Sequence, residues 1–176
     1  MTQQERERLV EIDRLIEQLK AEKAAINPYA NLKDFNNKTF GEAWSEPYIC
    51  SQCPSFQRKD QKGWDLWSEA LGRVEVKSSR LPCTQITFNQ CHPYDCDYFL
   101  FVEYDTEEVT ESIFLVPSSD FFNFSISVQH SRHEANCFTL SGTTKHNVAL
   151  LEKYRVRDWA ELESLAGGVI NGKDCT

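Results

Sequence analysis

Residues 63–79 read Gly-Trp-Asp-Leu-Trp-Ser-Glu-Ala-Leu-Gly-Arg-Val-Glu-Val-Lys-Ser-Ser, and their pattern predicts the centre of the fold. Apolar and polar side chains alternate over 64–67 and again over 73–77, which is the pattern of two half-buried strands. The short turn at Leu71 and Gly72 lies between them. The sequence therefore predicts an antiparallel hairpin at this point.

Two carboxylates and one ammonium group come together in this predicted hairpin. Alternation places Glu75 and Lys77 on one face of their strand, and Asp65 on the partner strand can meet them across the pair. Converging carboxylates repel each other unless a cation joins them, and hard oxygen ligands suit Mg²⁺. We therefore predict a Mg²⁺ site formed by Asp65, Glu75 and the backbone carbonyl of Val76, with water as the nucleophile. Lys77 would stabilise the charge that develops on a phosphodiester, and orient or deprotonate the attacking water.

Core strands and helices are expected on both sides of the hairpin. Apolar runs at 98–102 and 112–116 predict two buried strands. Apolar residues spaced by three and four predict one helix over 4–26, which Asn27-Pro28 ends, and a second helix is expected over 36–46. The fold class is thus α/β, with a mixed central β-sheet flanked by helices. Residues 1–28 form a long N-terminal helical arm, which either pairs with a second copy as a short coiled coil or packs on its own domain.

The composition bounds the classes of function. Of the 176 residues, 40% are apolar and 26% charged, which excludes a disordered or low-complexity chain. No apolar run could span a bilayer and the N-terminus has no signal-peptide core, so we expect a cytoplasmic protein without a membrane. The net charge of −8 argues against nucleic acid, yet six basic and four acidic residues over 57–80 allow a locally basic face. No Gly-rich phosphate loop occurs, so no nucleotide cofactor is expected.

The arrangement Asp65…Glu75-Val76-Lys77-Ser78 resembles the PD-(D/E)XK nuclease superfamily, and especially its PvuII-type restriction endonucleases. The resemblance extends over about residues 36–116. It implies a restriction endonuclease-like core at 29–176, Mg²⁺-dependent hydrolysis of double-stranded DNA at a specific sequence, and a homodimer. Many members place a further Glu on the preceding helix. Glu42 joins the predicted catalytic set on this ground, with Glu46 as the alternative.

Polar side chains downstream of the hairpin are candidates for DNA contacts. Amides, hydroxyls and cations can bond base edges and phosphates, although the same residues also suit an ordinary exposed strand or turn. In the resembling enzymes the strand and loop after the Lys-Ser pair carry base contacts and clustered His residues. The candidates are Ser78, Gln85, Thr87, Asn89, Gln90, His92, Arg132, His133, Lys145 and His146.

The cysteines allow a second, structural metal. Cys50 and Cys53 form a CxxC, and Cys91 and Cys96 follow at a looser spacing than is usual for zinc. These four are the candidate Zn²⁺ ligands, with His92 and Cys83 as substitutes. The alternative is that the cysteines are reduced and bind no metal.

Two other functions compete with a restriction endonuclease. A structure-specific repair nuclease or junction resolvase would use the same site on branched or damaged DNA. A non-catalytic zinc-containing interaction domain would use the helical arm to bind a partner. Metal content and the choice of DNA substrate separate these classes.

Overall fold

A computed structural model gives the placement of most of the chain. It describes residues 1–36, 39–61, 63–81, 87–124, 128–130, 135–141 and 149–168. Within those ranges, no helix combines the length and the apolar character that crossing a membrane requires.

The helical elements lie mainly before the sheet and at the end of the described chain. They are α1 (Gln3–Ile26), α2 (Glu46–Gln52) and α3 (Trp159–Ala166), with a π-helical turn at Gly41–Ser45 and 3-10 turns at Leu32–Asp34, Ser118–Phe124 and Glu152–Tyr154. The strands are β1 (Gln57–Gln61), β2 (Trp64–Ser68), β3 (Gly72–Leu81), β4 (Thr87–Cys91), β5 (Tyr98–Asp105), β6 (Thr110–Pro117), β7 (Val128–His130), β8 (Phe138–Ser141) and β9 (Arg155–Val156).

The central sheet is mixed, as the sequence predicts. Over the described ranges it holds six strands in the order β1-β2-β3-β5-β6-β9. The β3 and β5 strands run parallel, and the other neighbouring pairs are antiparallel. The α/β class is therefore confirmed.

The β2–β3 hairpin forms where the alternation predicts it. Leu66 pairs with Val74 and Ser68 with Gly72, and the Ser68 hydroxyl accepts a hydrogen bond from the Leu71 N–H. Gly72 has a φ of +73°, a conformation that glycine adopts without steric cost. The turn thus fixes the register that carries the predicted site.

The parallel pairing of β3 with β5 requires a crossover connection. This connection carries β4, which joins a separate three-stranded sheet in the order β4-β8-β7. At the end of the crossover, the Asp97 carboxylate accepts from the Arg73 backbone N–H at 2.9 Å and pairs with the Arg73 guanidinium. This contact holds the start of β5 beside the start of β3.

Two apolar clusters cover opposite faces of the central sheet. Side chains of β5 alternate between them, because Leu100 and Val102 belong to one and Phe99 and Phe101 to the other. The first cluster, which includes Ile49 of α2 and Leu162 of α3, is called the helix-side cluster below, and the second, which packs on the small sheet, the sheet-side cluster. All four β5 residues are fully buried, which confirms the prediction of a strand buried on both faces.

The helix predicted over 36–46 has the wrong bounds. Helical backbone runs from the π-helical turn at Gly41–Ser45 through α2 to Gln52, and the following polar stretch forms the edge strand β1. Pro47 does not stop the helix, because proline suits the first turn, where its missing N–H is not needed. Helix α1, in contrast, is confirmed within one residue of its predicted start.

Candidate functional site

The Asp65 carboxylate lies at the point where β2 and β3 cease to pair. The paired segment begins at Leu66 and Val74, one residue beyond Asp65. The Val76 backbone N–H donates to Asp65 Oδ2 at 2.7 Å. The Asp65 carboxylate thus accepts a hydrogen bond from the β3 main chain at Val76, which lies between Glu75 and Lys77.

Glu75 is the buried centre of the site, with 2% of its surface exposed. Its Oε1 lies 2.7 Å from the Lys77 Nζ and 3.3 Å from the His92 Nδ1. The His92 backbone N–H donates to Glu75 Oε2 at 2.8 Å. A buried carboxylate requires such partners, so these contacts offset the cost of its burial and hold its orientation.

Burial and mutual repulsion shape the electrostatics of the site. Burial raises the pKa of Asp65, and the neighbouring Glu75 carboxylate adds to the rise against the opposing effect of Lys77. Burial alone would lower the pKa of Lys77, but the Glu75 and Asp65 carboxylates outweigh it, so this pKa lies above its usual value. Lys77 is therefore an ammonium at neutral pH, and its charge is held between two acids.

The sequence leaves Glu42 and Glu46 as alternatives, and the structure distinguishes their surroundings. Burial raises the pKa of Glu46 and the charge of Asp65 raises it further, which places the Glu46 carboxylate within electrostatic reach of the site. Arg58 bonds Glu46 Oε2 at 3.0 Å and the Glu42 backbone carbonyl at 3.0 Å. The Glu42 side chain itself is exposed on the π-helical turn. Glu46 is thus the better placed of the two acids.

Asp65 and Glu75 supply carboxylate oxygens at this position, which is the donor type that Mg²⁺ prefers. Mg²⁺ binds through one or two carboxylates and keeps several waters, rather than taking a closed cage of protein ligands. Over the described ranges, no three His, Cys, Asp or Glu residues form a group that could hold a metal. Leu66 and Val74 form the paired position of the hairpin that is farthest from its turn, and Asp65 and Glu75 are the next residues along the two strands. The register thus places Asp65 opposite Glu75, which is the placement that an open two-carboxylate site would require.

The four candidate zinc ligands do not meet. Cys53 lies in the helix-side cluster with Cys50 packed against it, whereas Cys91 and Cys96 lie in the sheet-side cluster. The central sheet separates the two pairs, and all four thiols are free of disulfides. The structure thus gives these sulfurs no common centre.

The predicted DNA contacts fall in different environments. Asn89 and Gln90 are exposed on β4, and Asn89 Oδ1 accepts from the Thr139 hydroxyl at 3.2 Å. Thr87 begins the same strand. The Ser78 hydroxyl shares a hydrogen bond with the Ser45 hydroxyl, away from β4. Gln85, Arg132, His133, Lys145, His146 and the substitute zinc ligand Cys83 lie outside the described residues.

His92 lies in the buried candidate site beside Glu75, and not on an exposed DNA-contacting surface as the sequence suggests. The sequence groups it with the DNA contacts, whereas its side chain is buried against Glu75. It lies beyond β4, where the turn that follows is closed by an Asp95 N–H to His92 carbonyl bond. No local pattern reveals this contact, because Glu75 and His92 are joined through the crossover between β3 and β5.

The sequence matches no known protein-family model, and no curated protein matches it. The interpretation of the site therefore depends on its own geometry.

Proposed function

We propose that this protein is a Mg²⁺-dependent endonuclease that hydrolyses phosphodiester bonds of double-stranded DNA at a specific sequence. The proposal rests on one observation. Asp65 of β2 bonds the β3 main chain beside Glu75 and Lys77, and the buried Glu75 carboxylate contacts both Lys77 and His92. The same arrangement is the basis of the resemblance to PD-(D/E)XK nucleases of the restriction type.

Each residue has a distinct role in this proposal. Asp65 and Glu75 would hold Mg²⁺, with the Val76 carbonyl as a further oxygen ligand. When bound, Mg²⁺ supplies a Lewis acid and lowers the pKa of water. Lys77 keeps its proton at neutral pH, so it supports the reaction by orienting water and by stabilising negative charge on the phosphate.

Glu46 is the acid that we propose for the supporting role on the helix. Its carboxylate interacts electrostatically with Asp65, and Arg58 fixes its position. The Glu42 side chain is exposed, and the Glu42 carbonyl helps to hold Arg58. Glu46→Gln is thus expected to reduce cleavage more than Glu42→Gln does.

Double-stranded DNA and a second copy of the chain are the proposed partners. Two sites in a homodimer would cut both strands of a palindromic sequence. The exposed amides of Asn89 and Gln90, on the strand that leads into His92, supply donors and acceptors for base edges.

The test is digestion of unmethylated plasmid and phage DNA with Mg²⁺ or with EDTA. Discrete fragments that require Mg²⁺ and are lost in Glu75→Ala, by at least about 100-fold in rate, would support the proposal. Glu108→Ala is the matched control, because Glu108 is an exposed acid in the β5–β6 turn. Lys77→Ala is expected to stop cleavage but to leave DNA binding unchanged, as measured by a mobility-shift assay.

Other outcomes select other functions. Cleavage of branched DNA alone would indicate a structure-specific nuclease with the same residues. Intact DNA in all these reactions, together with bound zinc in the purified protein, would favour a non-catalytic interaction domain. Cleavage that survives Glu75→Ala would overturn the site.

A further inference from the structure

Arg58 is an exposed cation beside the candidate site, and the roles proposed above give it no contact with the substrate. It lies on the edge strand β1, where its backbone pairs with Leu66, the residue that follows Asp65. The Arg58 side chain is 43% exposed, whereas that of its ion-pair partner Glu46 is 12% exposed. Burial raises the pKa of Asp65, and the charge of Arg58 is among the effects that oppose this rise. Arg58 therefore reaches solvent within electrostatic range of the Asp65 carboxylate.

Contacts within the chain occupy only part of the Arg58 guanidinium. Nε and Nη2 donate to Glu46 Oε2 at 3.2 Å and 3.0 Å, and Nη2 also donates to the Glu42 backbone carbonyl at 3.0 Å. In the part of the chain that the structure describes, the Nη1 donors bond no acceptor, and Nη1 is not a buried atom. The protein thus fixes the guanidinium along one edge and leaves Nη1 for an acceptor that comes from solvent.

We infer that Arg58 binds a backbone phosphate of the DNA substrate through Nη1, while Nε and Nη2 stay on Glu46. Phosphate suits this geometry because a guanidinium is planar, keeps its charge at neutral pH and forms strong bonds to phosphate oxygens. The contacts with Glu46 and Glu42 already order the side chain, so binding costs little further conformational entropy. This role rests on the proposed function, because it concerns the same substrate.

Lys77 and Arg58 would then contact different phosphates. The Lys77 side chain is 18% exposed and its ammonium lies 2.7 Å from Glu75, so Lys77 belongs to the centre of the site. Arg58 stands at the edge of the sheet, one strand away from β3. It is therefore placed for a phosphate beside the one that is cleaved, where it would hold the duplex and take no part in the chemical step.

An ion pair that only ties β1 to α2 is the alternative role of Arg58. The two roles predict different effects of removing the charge. A phosphate contact predicts weaker DNA binding but tighter Mg²⁺ binding, because a cation near Asp65 repels Mg²⁺. Loss of a purely structural tie would displace Glu46 and weaken the binding of both.

The first measurement is the binding of a fluorescently labelled DNA duplex in EDTA, followed by anisotropy at several concentrations of KCl. Arg58→Ala is expected to weaken binding about tenfold. The slope of log K against log[KCl] should become less negative by about 0.9 for each chain bound, since one phosphate contact is lost. Arg58→Lys keeps a cation, so it should keep the wild-type slope but bind more weakly, because an ammonium cannot bridge two acceptors as a planar fork does.

Arg155→Ala is the matched control. Arg155 lies on β9, the opposite edge of the same sheet, and forms an ion pair with Glu152 in which the side chains are 40% and 47% exposed. This variant is expected to keep the wild-type slope. Arg58→Gln can still donate to Glu46 without the charge, so it should lose as much of the slope as Arg58→Ala does. It replaces Arg58→Ala if circular dichroism shows that the alanine variant is unfolded.

The second measurement is calorimetric titration of the DNA-free protein with Mg²⁺. Arg58→Ala is expected to bind Mg²⁺ about twofold to fivefold more tightly than the wild type. A wild type that binds the duplex, with an unchanged salt slope in Arg58→Ala, would overturn the role of Arg58 and leave the proposed function standing. Weaker binding of both Mg²⁺ and DNA by a folded Arg58→Ala would overturn it as well. A wild type that binds neither Mg²⁺ nor DNA would overturn this role and the proposed function together.

Discussion

Glu75 is compensated by three donors that come from two separate parts of the chain. Lys77 lies on the same strand as Glu75, whereas the imidazole and the backbone N–H of His92 come from the crossover, just after β4. The backbone bond persists whatever side chain stands at position 92. The imidazole is therefore the part of this contact that substitution can remove.

Replacing His92 with Phe is expected to weaken Mg²⁺ binding and cleavage by about 10- to 100-fold, since partners of ligating carboxylates contribute effects of this size. His92→Asn can still donate to Glu75 and should stay within about threefold of the wild type. Calorimetric titration with Mg²⁺ and the Mg²⁺ dependence of cleavage measure the effect. Equal losses in the two variants would show that the imidazole does not position Glu75.

A second prediction concerns the ionisation of Asp65. Burial raises its pKa above the ordinary value of 3.8, so this carboxyl lowers the stability of the folded state increasingly as the pH rises from 3.8 to the raised pKa, and by a constant amount above it. Well below pH 3.8 the carboxyl is neutral in both the folded and the unfolded state, and this cost is absent. Asp65→Asn keeps an oxygen for the Val76 N–H without the charge.

Asp65→Asn is therefore expected to raise the Tm at about pH 8 in EDTA and to abolish Mg²⁺-dependent cleavage. Thermal melts of both proteins, with and without Mg²⁺, measure this, and added Mg²⁺ should stabilise only the wild type. A lower Tm for Asp65→Asn in EDTA would contradict the assignment of a destabilising charge.

The β2–β3 hairpin depends on the turn that precedes β3. Gly72 has a positive φ, and a Cβ at this position would lie 2.7 Å from Asp97 Oδ2. Gly72→Ala is expected to lower the free energy of unfolding by about 2 kcal/mol, because it combines backbone strain with a displaced Arg73–Asp97 contact. Urea denaturation measures the change, with the exposed Glu69→Ala in the same turn as the control. A loss no larger than that of the control would show that the turn relaxes freely.

The hairpin and the two core strands could be predicted because their signals are local. Alternation over 64–67 and 73–77 fixes which side chains share a face, so Asp65, Glu75 and Lys77 could be placed together from sequence. The small sheet could not, because its strands are short and pair across long separations, as Phe88 does with Leu140. The contact of His92 with Glu75 escapes prediction for the same reason.

The central sheet separates the two apolar clusters, and each cluster holds two of the four thiols: Cys50 and Cys53 on the helix side, Cys91 and Cys96 on the sheet side. Burial raises the pKa of Cys53 and of Cys96 to about 12 each, and that of Cys91 in the same direction. Cys50 is only partly buried. The rate at which each thiol reacts should thus measure how often the cluster around it opens to solvent.

Native-state alkylation followed by peptide mass spectrometry is expected to modify Cys50 at least about 100-fold faster than Cys53, Cys91 or Cys96, because a buried thiol at high pKa reacts through opening of the structure. Added Zn²⁺ should leave these rates unchanged, since the two pairs lie on opposite faces of the sheet. Rapid labelling of Cys91 in the folded protein, or protection of all four thiols by Zn²⁺, would contradict this division.

Two main-chain amides each bond one carboxylate of the candidate site: Val76 to Asp65, and His92 to Glu75. Hydrogen bonds to a carboxylate are stronger than those to a neutral acceptor, so both amide protons should resonate downfield of ordinary strand amides. Because each amide contacts a different acid, a ¹H–¹⁵N spectrum resolves the two carboxylates separately. The chemical shifts of these two amides should therefore show which of the two carboxylates binds an added cation first.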